Sequence, residues 1–360
     1  MKKNNPPDGM PVWFDGKNIN EALFCEEFLQ THKILFTNGA FFTPEGRVTD
    51  ELPLRGEIFE KLKCCAVSNI PRKISNIVEL MKLAALVEDF PPKADRIHLS
   101  NGTLFLDGKF VEGKPEIVRN RFPVAYNPEA SKPILWLKFL DGLLYPEDIP
   151  TLQEYIGYCL IPSNKGQRMM VMKGNGGEGK SQIGAVLGAL FGSNMKDGSI
   201  GKISENRFAR ADLEHILLCV DDDMRMEALR QTNYVKSIVT AQGKMDLERK
   251  GKQSYQGWMC ARLRSCQNMI FKWFRVAVTF MFRIRICPKS RFPDAIMDWT
   301  GLLSMKTMGC GLYFHPVSQN GYHCVSTKQK CSTLQIRWRA TISPANRKRS
   351  QRMSLPETAT

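Results

Sequence analysis

Apolar runs of membrane length are missing from this chain. No stretch approaches the roughly 18 to 20 residues that a bilayer span needs. The opening MKKNNPPDG follows two lysines with prolines and polar residues instead of an apolar core, so no secretory signal is expected either. Paired cysteine motifs are missing too. The 11 cysteines include no C-x-x-C pair, and the 5 histidines, His32, His98, His215, His315 and His323, fall at no zinc-finger spacing. Unpaired, reduced thiols fit a soluble cytoplasmic protein. Acidic residues are scarce in one segment only. Residues 261–360 hold 17 Lys and Arg against Asp294, Asp298 and Glu357, so almost all of the formal charge of +15 sits there. The first 260 residues are close to neutral, and the whole-chain charge is no sign that they attract nucleic acid.

What is present is a full G-x-x-x-x-G-K-[ST] loop: Gly174, Asn175, Gly176, Gly177, Glu178, Gly179, Lys180 and Ser181. Arg168 to Met172 before it are mostly apolar and read as a buried strand. Lys180 to Phe191 after it carry apolar residues at helical spacing and stop at Gly192. That strand–loop–helix setting is the one in which such a loop binds polyphosphate. Four glycines let the backbone curl so that its N–H groups and the positive end of the new helix face an anion. Lys180 would reach the β- and γ-phosphates, and the Ser181 hydroxyl would sit on Mg²⁺.

About forty residues on, Ile216 to Val220 form an apolar run that ends in Asp221, Asp222 and Asp223. A buried parallel strand has this look when its C-terminal end opens on a nucleotide site. Asp221 is expected to hold Mg²⁺ and Asp222 to orient the attacking water; a slip of one residue would move the two roles to Asp222 and Asp223. These carboxylates are expected to close the strand beside the one that feeds the loop. Further on, Tyr234 to Thr240 should be helical, and Met245 to Tyr255 alternate and turn at Lys250-Gly251. A hairpin with Lys250 and Lys252 at its tip can grip a phosphate backbone, or it can be an exposed charged turn with no partner.

The first 150 residues say less about chemistry. Turn signals stand at Asn38-Gly39 and Pro44-Glu-Gly46. Leu54, Ile58, Phe59, Leu62 and Cys65 share one helical face, and a second helix runs from about Ile74 to the stop at Pro91-Pro92. Ile97 to Val111 read as a hairpin or small meander in which His98 is packed or solvated, with no catalytic partner nearby. Pro123 to Pro133 is a proline-bearing connector, followed by a helix from Thr151 to Ile161. The domain boundary is expected near residue 150.

Taken together, residues 50–263 resemble the helicase portion of the phage/plasmid primase family, a superfamily three helicase related to poxvirus-type nucleoside triphosphatases. The resemblance rests on Asn101-Gly-Thr-Leu104, on Val124-Ala-Tyr-Asn-Pro-Glu-Ala130 with Trp136 and Phe139-Leu140, and on the loop and the helix before it. Arg207-Phe208 to Leu213, the Asp221 to Asp223 cluster and Glu248-Arg-Lys-Gly-Lys252 complete it. It implies an α/β P-loop NTPase core of the AAA+ type behind a mixed, largely helical N-terminal domain. It further implies ATP and Mg²⁺ as cofactors, ATP hydrolysis coupled to DNA unwinding at single strands or forks, and assembly as a ring, usually a hexamer. An arginine from a neighbouring subunit would complete the site. On this basis residues 1–150 are the helicase-associated domain, 151–263 the incomplete ATPase core, and 264–360 an unassigned basic tail. No primase or polymerase domain is recognisable upstream, so primer synthesis is not expected.

After Leu263 the resemblance stops. Asn268 falls near the expected sensor asparagine, but nothing beyond it matches. The rise in charge, the crowding of Cys266, Cys287, Cys310, Cys324 and Cys331, and the loss of periodicity begin together. We read this segment as the product of a shifted reading frame or as disordered, against the alternative of a genuine basic tail, Arg337 to Arg352, that binds nucleic acid or a partner.

Overall fold

The computed structural model describes residues 10–65, 68–174, 177–224, 233–267 and 281–285. Its first module is organised by aromatic side chains. Helix α1 (Glu21–Thr31) is capped by the Asn20 side chain, which accepts from the Leu23 N–H at 3.2 Å; this satisfies one of the amide donors that every helix start leaves open. Its buried Phe24, Cys25 and Phe28 face Trp13, whose ring meets Phe24 edge-on at 4.9 Å. Strands β1 (Leu35–Thr37), β2 (Ala40–Thr43) and β3 (Gly46–Arg47) form an antiparallel sheet. Its first turn is Asn38-Gly39, with φ of +49° and +78°, the left-handed pair that a two-residue hairpin demands.

Helices α2 (Leu52–Leu62) and α3 (Ile70–Ala84) bury Leu54, Ile58 and Leu62 against Ile74, Ile77, Val78 and Met81. Three- and four-residue spacing puts each set on one stripe. Phe59, expected on that stripe, is 42% exposed, because it follows Ile58 by one residue and so lies about 100° around the helix. Helix α3 begins at Ile70, ahead of the expected Ile74, with Pro71 in its first turn, where proline's missing N–H costs nothing.

A meander of β4 (Arg96–Leu99), β5 (Gly102–Phe105) and β6 (Phe110–Glu112) precedes helices α4 (Ile134–Leu143) and α5 (Ile149–Cys159). These elements pack on the central sheet: Ile97, Phe122, Leu140 and Tyr155 share one buried cluster with Met170, Met172, Ile183 and Leu187. One core thus spans both sides of residue 150.

The remaining elements are β7 (Met169–Lys173), α6 (Lys180–Phe191), β8 (Met195–Asp197), α7 (Ile200–Glu205), α8 (Arg207–Ala211), β9 (Leu218–Asp221), α9 (Asn233–Thr240), β10 (Lys244–Leu247), β11 (Tyr255–Trp258), β12 (Arg262–Gln267) and β13 (Met281–Arg285). Five of the strands form a sheet in the order β13-β7-β12-β9-β8, every pair parallel. Parallel pairing requires crossover connections, and from β7 to β12 these contain α6, α7, α8 and α9. The acidic strand β9 is therefore not the direct neighbour of β7, contrary to the sequence reading. Strand β12 lies between them, with Arg264 paired to Met170 on one side and to Val220 on the other. Leu263 and Cys266 of β12 are wholly buried, and a strand with apolar side chains on both faces gains most at the centre of a sheet. The ordered strand also runs past Leu263 to Gln267, and β13 adds to the far side of β7. Asn268 and residues 286–360 lie outside the described residues. The whole is an α/β fold of the P-loop NTPase class with a mixed N-terminal region, as expected. Among the described residues no helix is long and apolar enough to cross a membrane.

Candidate active site

The loop joins the end of β7 to the start of α6 in the predicted strand–loop–helix order. Gly177 and Gly179 have φ of +71° and +94°, a backbone region that other residues enter only at a cost. Asn175 and Gly176 lie outside the described residues. Helix α6 opens at Gly179 with no side-chain cap, so its first amides and the positive end of its dipole are left for the loop to use.

The loop carries its own anion. Lys180 is 5% exposed, and its Nζ lies 2.7 Å from Glu178 Oε2. A Cβ at Gly174 would fall on that carboxylate and come within 2.8 Å of Lys180 Nζ. Glu178, Lys180 and the Gly174 backbone are thus packed together where the sequence reading puts phosphate. Charge neutralisation of this kind is what lets a lysine be buried at all.

Ser181, Asp221 and Asp222 come together with Gly184, Ser199 and Val220 around a cleft of about 410 Å³. The two aspartates have different partners, Asp221 being the last residue of β9 and Asp222 lying in the turn after it. Asp221 is 7% exposed; its Oδ2 accepts from the Ile200 N–H at 2.7 Å, at the start of α7, and its Oδ1 from the Asp223 N–H at 3.3 Å. Burial raises its carboxyl above the ordinary value, opposed by those two hydrogen bonds. Asp222 turns towards α6, its Oδ2 3.4 Å from where a Cβ on Gly184 would stand. Its Oδ1 accepts from Arg264 Nη1 at 3.1 Å and from the Cys266 thiol at 3.5 Å. Burial pushes that thiol up to about 11, so it remains a neutral donor. The Asp223 side chain is exposed.

Arg264 was not singled out from sequence, although Arg262-Leu263-Arg264 has the period-two pattern that sets both arginines on one face of a strand. Both are 1% exposed. Arg262 donates to the Tyr158 carbonyl at 2.6 Å and lies over the Tyr158 ring. Arg264 reaches the site itself: besides Asp222 it donates to the Lys180 carbonyl at 3.0 Å, with Met172 Sδ and Cys266 Sγ beside it.

The β10–β11 hairpin forms as expected, with exposed Lys250 and Lys252 at its turn and Gly251 at φ +75° in open space. Neither lysine is among the residues lining the cleft. The base of the hairpin is anchored by Glu214, whose side chain is wholly buried. It accepts from Arg249 at 3.0 Å, from the Tyr255 hydroxyl at 2.7 Å and from Asn38 at 2.9 Å. Glu214 thereby ties the hairpin to the approach to β9 and to the β1–β2 turn.

No cluster of three or more potential metal ligands occurs among the described residues. The donors present, Ser181 and one or two carboxylates on one cleft, suit a hard cation such as Mg²⁺ that shares its coordination with substrate phosphates and water.

A nucleotide-type loop at the head of a helix, facing carboxylates at the C-terminal ends of a parallel sheet, defines the class: a P-loop NTPase fold. Against known proteins, residues 172–273 match a family profile described as a family of unknown function, DUF5906. The match starts inside β7 and passes the end of β12, so it takes in the loop, the acidic strand, the hairpin and Arg264. No curated protein matches the chain. Among solved structures, the A form apo structure of the NrS-1 C terminal region aligns at TM-score 0.52 with 12% identity, covering 81% of this chain and 68% of that one. The apo structure of the NrS-1 C terminal region (305–718) aligns at TM-score 0.51 with 13% identity, over 82% and 70%. A JCV helicase structure aligns at TM-score 0.34 with 15% identity, over 48% and 50%. The NrS-1 likeness concerns the fold.

Proposed function

We propose that the chain is a Mg²⁺-dependent ATPase of the superfamily three helicase type, acting on DNA and working as a ring. The observation that carries this reading is that Ser181, at the head of the loop helix, shares one cleft with Asp221 and Asp222. Loop amides and Lys180 would hold the phosphates. Asp222, turned towards α6, is the better candidate for the metal and Asp223 for the attacking water, since Asp221 is committed to the Ile200 and Asp223 amides. The one-residue slip left open by the sequence is therefore the favoured assignment. Ser181 and Asp222 would hold Mg²⁺, which when bound would supply charge neutralisation for phosphoryl transfer. The protein's own task is positioning and electrostatic stabilisation.

In this reading residues 1–150 act as the helicase-associated domain, 151–263 with the remainder of β12 and with β13 as the motor core, and the other residues after 267 as an unassigned tail. Lys250 and Lys252 grip the DNA backbone. Their exposure on a hairpin held at its base by buried Glu214 supports this, because a rigid base lets a moving tip transmit force. The test is ATP turnover by the full chain with and without single-stranded DNA. DNA should stimulate hydrolysis, and a Lys250→Ala, Lys252→Ala double variant should lose that stimulation while binding ATP normally. Turnover indifferent to DNA would point to another kind of P-loop enzyme, and nucleotide binding without turnover to a non-hydrolysing remnant.

A further inference from the structure

We infer that Arg264 is the positioning residue of the metal site, a role that nothing in the family description assigns. The inference rests on the nucleotide-binding reading of the loop. Arg264 issues from β12, the strand inserted between β7 and β9, and is 1% exposed. From there its guanidinium spans two elements. Nη1 donates to Asp222 Oδ1 at 3.1 Å, at the end of β9, and Nη2 to the Lys180 carbonyl at 3.0 Å, in the first turn of α6.

The planar fork of an arginine holds two acceptors in fixed relation, whereas a lysine's ammonium is a compact charge with rotatable donors. Asp222 is the one carboxylate that forms an ion pair with Arg264 among the described residues. A buried guanidinium with one counter-ion keeps that counter-ion in place, because parting them leaves a charge uncompensated. The Asp222 side chain is 41% exposed and lines the cleft, while its Oδ1 is held by Arg264. Arg264 thus fixes the distance between the carboxylate proposed for the metal and the helix turn bearing Lys180 and Ser181. Outer-shell partners of this kind typically change metal affinity or activity by about 10- to 100-fold when removed.

The test measures the affinity of a fluorescent ATP analogue for the full chain, once in EDTA and once with Mg²⁺, in the unsubstituted protein, Arg264→Met and Arg264→Lys. Arg264→Lys keeps the charge and much of the volume, so it remains informative if Arg264→Met does not fold. The unsubstituted chain should bind more tightly with Mg²⁺. Both variants should lose about tenfold or more of the Mg²⁺-linked gain, read as the ratio of the affinity with Mg²⁺ to that in EDTA. A merely structural arginine would lower the melting temperature and leave the ratio of the two affinities unchanged; that result overturns the inference and leaves the nucleotide site standing. Failure of the unsubstituted chain to bind the analogue at all would remove the nucleotide reading, and the inference with it.

Discussion

Replacing Glu178 with glutamine should tighten ATP binding, the opposite of what loss of a charged residue from a binding loop usually does. In the loop the Glu178 carboxylate lies 2.7 Å from Lys180 Nζ, and the two side chains are 10% and 6% exposed. Phosphate must replace that carboxylate on the lysine. A hydrogen bond between charged groups is worth about 1.5–3 kcal/mol, and a nucleotide that displaces it forfeits about that much of its own binding energy. Glutamine keeps the size and a polar tip but removes the charge. Part of the gain is lost because Lys180 must then be held less comfortably in the free state, so a net change of about 1.4 kcal/mol, or tenfold in Kd, is the reasonable magnitude. The assay is titration with a fluorescent ATP analogue at two salt concentrations. The gain should persist at the higher salt, because a pair this enclosed is little screened. Unchanged or weaker binding by Glu178→Gln would refute the view that the loop is held by an internal anion.

Two further outcomes follow from the surrounding structure. Glu214→Ala removes a wholly buried carboxylate that accepts from Arg249, Tyr255 and Asn38; it should cost about 3 kcal/mol of stability, read by denaturant unfolding, and leave the hairpin accessible to protease. Burial lowers the His98 imidazole from 6.5 to about 4, with Glu116 opposing and Arg121, Arg96 and Lys93 adding to the effect. The stability this contributes is complete above pH 6.5 and is lost as pH falls towards 4, in total about 3 kcal/mol. His98→Gln should flatten that part of the stability–pH curve, and an unaltered slope would show that other groups set it.

How much of this was legible in the sequence depended on the range of the interaction. The loop, its helix and the acidic run could be read because glycine, lysine and apolar spacing act within a dozen residues. The hairpin was readable for the same reason, Lys250-Gly251 being a local turn signal. Sheet order was not, since β12 enters between β7 and β9 from about forty residues downstream and local pattern carries no record of it. Arg264 was hidden by the same fact: in a chain that turns strongly basic after residue 261, one more arginine looks like tail. The pairing of Glu178 with Lys180 depends on how Gly177 and Gly179 fold the loop back, and spacing alone does not give those torsions. The aromatic core around Trp13, Phe24 and Phe28 went unread because Trp13 joins it from ahead of α1, a contact between segments that local spacing does not record. The sequence favoured Asp221 and Asp222, with a slip to Asp222 and Asp223 as the alternative; the Ile200 amide that Asp221 accepts from is brought in by α7 and leaves no mark in local spacing.

The central claim is that a nucleoside triphosphate binds where the loop meets α6, and calorimetric titration of the full chain with ATP and Mg²⁺ tests it most directly. The unsubstituted protein should bind one ATP per chain and Lys180→Ala should bind none, with both folded by circular dichroism. Equal binding by the two proteins, or no binding by either, would contradict the account.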